Sequence, residues 1–117
     1  MTAVTFVALI LPGMDEAWRR FIQEMRDLHS NEYDESRRRA GITEEAIWLV
    51  ESASAAWIIV HLEAMDPSAA LKELASSELP FDQWYRDQFR ALHGLDLSRL
   101  FVVEPHQPIF KWHVVES

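Results

Sequence analysis

In the stretch from Trp57 to Asp66, WIIVHLEAMD, an imidazole and a carboxylate stand two residues apart inside an otherwise apolar run. On an extended chain alternate residues share a face and lie within about 7 Å, so His61 and Glu63 can meet or converge on one ligand. A carboxylate beside an imidazole fixes its tautomer, and the pair then accepts or relays a proton. His61 and Glu63 are the candidate catalytic pair on these grounds. The plain alternative is a buried polar couple in which each member satisfies the other.

Other residues would complete a pocket around that pair. Lys111 and His113 share a face of the closing run IFKWHVVE, and Trp48 and Trp57 supply rigid aromatic walls; these four are the expected ligand-binding residues. Tryptophans fill cores and interfaces equally well, so they do not define a cofactor box. Tyr33, Arg37 and Arg38 are candidates for a polar rim that receives an anionic ligand, although a basic run such as Arg37-Arg38-Arg39 also suits the last turn of a helix. His61, Glu63 and His113 are the best metal set, but no His-x-x-x-His or Glu-x-x-His spacing supports them, so neither metal nor cofactor is expected. With no Cys there is no thiolate chemistry or disulfide framework. No Gly-x-Ser-x-Gly elbow and no Gly-rich phosphate loop is present.

The elements that must position these residues follow from periodicity. Thr2 to Leu11 is β-branched and apolar and stops at Pro12-Gly13, which makes it a first strand. No basic residue precedes it, so it does not read as a secretory leader. From Asp15 the apolar residues Trp18, Phe21, Ile22, Met25 and Leu28 recur at helical spacing. This helix is expected to run on past Tyr33 towards Ala40 and to end at Gly41. Glu45 to Glu51 and Ala55 to Ala64 form two further strands, joined tightly enough to be an antiparallel hairpin. Asp66-Pro67 opens a second helix, interrupted before Pro80 and ending at Gly94. IFKWHVVE is then a fourth strand.

The order βαββαβ, with the second helix split, predicts one α+β domain over residues 1–117. It is a ferredoxin-like antiparallel sheet of order 4-1-3-2 with its helices on one face. On strand three, Ile58, Val60 and Leu62 suit the helices, while Trp57 and Ile59 crowd the other face. Strand one is apolar on both faces. Helices cover only one side of such a sheet, so a second subunit is the expected cover for the other.

Through GITEEAIWLVES, FDQWYRDQFRALHGLDLS and FKWHVVE the chain resembles the dimeric α+β barrel superfamily, and within it a small uncharacterised bacterial family. The resemblance spans nearly the whole chain. It implies a homodimer packed sheet to sheet. It leaves the chemistry open, because the superfamily includes cofactor-free monooxygenases, haem-degrading enzymes, sugar mutarotases and lactone isomerases. The leading expectation is a small-molecule binding protein with a Trp- and His-lined pocket. A cofactor-free monooxygenase or isomerase using His61 and Glu63, and a dimer with no ligand, are the alternatives. The net charge of −8 argues against a nucleic-acid partner. No run is long enough to span a membrane, and the lack of Cys suits the cytoplasm.

Overall fold

The computed structural model describes residues 2–97 and 109–115. In chain order its elements are β1 (Thr2–Leu9), α1 (Asp15–Leu28), α2 (Ser30–Arg39), β2 (Ile42–Glu51), β3 (Ala56–Ala64), α3 (Pro67–Ser76) and α4 (Pro80–His93). The three strands form an antiparallel sheet in the order β1-β3-β2. This is an α+β architecture consistent with a ferredoxin-like fold.

Alternation along β3 decides the packing. Ala56, Ile58, Val60, Leu62 and Ala64 are buried, whereas Trp57, Ile59, His61 and Glu63 between them are only half-buried. The buried set joins Val4, Phe6, Ala8 and Ile10 from β1 and its continuation, and packs with Trp18, Phe21 and Met25 of α1 and Phe81, Tyr85, Phe89 and Leu92 of α4. One sheet face thus carries the helices and the core. The hairpin between β2 and β3 closes through Ser52, whose amide donates to the Ala55 carbonyl at 2.8 Å.

Local signals fix the helix ends. Asp66 Oδ1 accepts from the Ala69 amide at 3.1 Å, with Pro67 at the first helical position, as expected of an Asp-Pro start. Gly94 ends α4 in the left-handed conformation at φ 68°.

One expectation is corrected and another is met only in part. The first helix does not run unbroken to Ala40, because it breaks at His29 into α1 and α2. Ser30 and Asn31 favour helix starts over interiors, and the break seats the His29 ring 4.6 Å from Trp84 and 5.9 Å from Phe81. The closing segment is also no strand of this sheet: residues 109–115 lie in no regular element and are exposed. Phe110, Trp112 and Val114 carry the apolar side of the alternation and Ile109, Lys111 and His113 the other, so the pattern of a half-buried strand is present without the pairing.

Candidate functional site

Register brings the polar residues together. Across the sheet face away from the helices, β3 presents Trp57, Ile59, His61 and Glu63; their partners are Leu9, Val7, Thr5 and Ala3 on β1 and Val50, Trp48, Ala46 and Glu44 on β2. The Trp57 end of this face is apolar. Trp48 is 54% exposed and Val7 59%, and Leu9 and Val50 are also exposed. Trp48 and Trp57 are diagonal neighbours across the strand pair, close enough for large side chains to share one surface.

The other end of the face is charged. His61 Nε2 stands 3.6 Å from Glu63 Oε1, within reach of electrostatic attraction but longer than a direct hydrogen bond. Directly opposite Glu63 on the paired strand is Glu44. The neighbouring Glu63 carboxyl holds that of Glu44 above the usual carboxylate range, while His61 draws it the other way. One ligand atom from each of Glu44, His61 and Glu63 lies within 4.8 Å of the others.

Glu44 reaches this cluster by alternation, on the same face of β2 as Ala46, Trp48 and Val50, and a bulge lies just before it. Ile42 pairs with Ala64 and Glu44 with Glu63, leaving Thr43 as the extra residue between them. The extra residue reverses the facing of everything before it, so Ile42 enters the core while Glu44 stands on the open face. Glu45 then turns inward beneath α2.

No family model, curated protein or solved structure matches this chain. Its chemistry rests on its own side chains.

A second polar constellation lies on the helix side. Arg37, although in the basic last turn of α2, is buried at 6% exposure. Its Nε donates to Glu45 Oε1 and its Nη1 to Ser36 Oγ, each at 3.0 Å. The guanidinium carbon lies 4.3 Å from the centre of the Tyr33 ring and 4.5 Å from that of Tyr85, both cation–π distances. Burial lowers the Arg37 pKa, pushes the Glu45 carboxyl up to about 7 and the Tyr85 hydroxyl up to about 12. Beside Arg37, Asp82 accepts from Ser36 at 2.6 Å and Ser77 at 2.5 Å and pairs with Arg39. An open cleft of about 690 Å³ runs along this wall, bordered by Tyr33, Arg37 and Arg38 of α2 and by Glu44 and Glu45 of β2.

The sequence-predicted residues divide accordingly. Trp57, His61 and Glu63 share one face of β3, and the pairing of β2 puts Trp48 on the same face. Lys111 and His113 fall in the exposed segment outside the sheet. Tyr33, Arg37 and Arg38 do border a cleft, but Arg37 is already held by Glu45 and Arg38 Nε pairs with Asp34 at 2.8 Å. Glu44, Glu45, Ser36 and Asp82 carry no periodicity signal of their own. The one clue to the first two is the adjacent carboxylate pair at the start of β2, where a residue on each face is a necessity of the strand.

Proposed function

We propose that the chain acts as a homodimer, packed open sheet face against open sheet face, that binds a small molecule of mixed polarity between the subunits. The observation that carries this reading is the open face itself, where Val7, Leu9, Trp48 and Val50 are exposed beside Trp57 and Ile59. A contiguous surface of that kind marks an interface or a binding site more often than a free exterior. Two copies would shelter it, and His61 and Glu63 at its polar end would anchor the ligand against tryptophan walls. The resemblance to dimeric α+β barrels points the same way.

The closing segment belongs to the same reading. The second edge of β1 has no strand partner among the described residues, and an unpaired edge is a template for one more strand. Addition of residues 109–115 there would give the order 4-1-3-2 and bring Lys111 and His113 into the ligand's surroundings. The His61–Glu63 approach of 3.6 Å favours a second reading, in which the imidazole moves a proton on the bound molecule without a cofactor.

Native mass spectrometry and light scattering of the full chain test the first reading. The parent should be a dimer, and Trp48→Glu, which puts a charge in the shared face, should be a folded monomer. A parent that stays monomeric at every concentration refutes it. Amide exchange that is slow on β1 and on Phe110 to Val114 in the parent would support the added strand. If the ligand found is a substrate, equal turnover by His61→Ala and the parent ends the catalytic reading.

A further inference from the structure

The charged end of the open sheet face has the makings of a metal centre. Glu44 and Glu63 oppose each other on paired strands, an arrangement that costs stability when both are ionised. Among the described residues neither has a lysine or arginine ion-pair partner; the one side chain recorded as an ion-pair partner of Glu63 is His61. The cluster is therefore a concentration of negative charge with a nitrogen donor beside it and no fixed cation to balance it.

Its dimensions suit one ion. Transition-metal bonds to imidazole and carboxylate run about 2.0–2.2 Å, so two donors on the same ion stand roughly 3.0 to 4.2 Å apart. The 3.6 Å between His61 Nε2 and Glu63 Oε1 falls inside that range. One donor atom from each of the three residues lies within 4.8 Å of the others, and the exposed Glu44 can close the remainder by a change of rotamer.

We propose that Glu44, His61 and Glu63 bind a first-row divalent transition ion. An imidazole nitrogen with two carboxylates is a donor set for zinc and its neighbours, not for calcium or magnesium, which take oxygen donors. Three protein ligands leave coordination positions unfilled. Because all three donors rise from the same side of the sheet, those positions face away from it, towards the surface flanked by Trp48 and Ile59. An ion there would polarise an oxygen of a bound molecule or hold a water as its ligand. The site is complete within one chain and does not rest on the dimer reading.

The test is titration of the chelator-treated full-length protein with Zn²⁺ by calorimetry and with Co²⁺ by visible absorption. Native mass spectrometry of the same samples reads oligomeric state separately from metal content. The expected result is one ion per chain at micromolar affinity or tighter, weakened at least tenfold by His61→Ala and by the isosteric Glu63→Gln. Glu32→Gln, which disrupts the other imidazole–carboxylate pair, His29–Glu32 at 2.8 Å, should bind like the parent. Non-saturating uptake, or equal losses in Glu32→Gln and the two site variants, would overturn the proposal. So would binding that neither site variant weakens.

Discussion

The Ser36 hydroxyl donates to Asp82 at 2.6 Å in the interior, joining α2 to α4 across 46 residues of chain. Asp82 is 2% exposed and also takes bonds from Ser77 and Arg39. Burial alone would push its carboxyl up. The hydrogen bonds from Ser36 and Ser77 and the charges of Arg39 and Arg37 outweigh that and hold it below the usual range. A carboxyl depressed in the folded state stabilises the fold above its unfolded pKa of about 3.9, and that contribution is lost as pH falls through the folded value. Asp82→Asn should therefore lower stability near neutral pH by about 2–4 kcal/mol, because it strips a buried charge from partners left behind. In urea melts the gap between parent and variant should narrow as the pH drops below about 4.

Glu45 should give the opposite slope in a different window. Its folded pKa of about 7 lies above the model-compound value of 4.5, and burial is the cause. The proton is thus held more tightly in the folded chain. The associated stability is complete below the unfolded pKa, declines through the interval up to about 7, and is gone above it. Glu45→Gln removes that titration. Relative to the parent it should gain stability as pH rises across the interval, by up to about 3 kcal/mol. Parallel pH profiles for the two proteins would show that Arg37, 3.0 Å away, keeps Glu45 ionised throughout.

His93 provides a third pH signature. Its Nδ1 donates to the Leu9 carbonyl at 2.9 Å, and burial pulls its pKa down despite that bond. A histidine depressed in the folded state stabilises above its unfolded pKa of about 6.5 and ceases to as the pH falls through the folded value. His93→Phe fills the space beside Phe89 but leaves the carbonyl unpaired. It should cost about 1–3 kcal/mol at pH 8 and less at pH 5. Thermal melts at the two pH values measure the difference.

Alternation and end signals suffice to find β1, β3, the split helix α3–α4 and the shared face of Trp57, His61 and Glu63 on β3. These features depend on spacing along one element. What spacing along one element does not contain is register between elements. The pairing of β2 with β3, which sets Glu44 opposite Glu63 and turns Ile42 into the core through the bulge at Thr43, is such a register. Arg37 illustrates the same limit: a cation in the last turn of a helix satisfies the dipole whether it faces solvent or, as here, two tyrosine rings. Residues 109–115 carry the alternation of a fourth strand, but alternation does not supply the edge pairing that would make them one.

Gly94 and Gly41 separate two costs that are usually confounded. Both sit at positive φ, 68° and 81°, where an L side chain is strained by roughly 1–2 kcal/mol. A Cβ on Gly41 would meet nothing within 4 Å, whereas one on Gly94 would stand 3.4 Å from the Leu11 side chain. Leu11 is itself pinned there, since its amide donates to the Leu92 carbonyl at 2.9 Å. Because 3.4 Å is ordinary van der Waals contact, Gly94→Ala and Gly41→Ala should lose similar stability, set by the positive φ that both share. Gly94→Ala combined with Leu11→Ala should then show nearly the sum of the single losses in thermal melts. A combined loss well below that sum would mean that contact with Leu11 adds to the cost at Gly94.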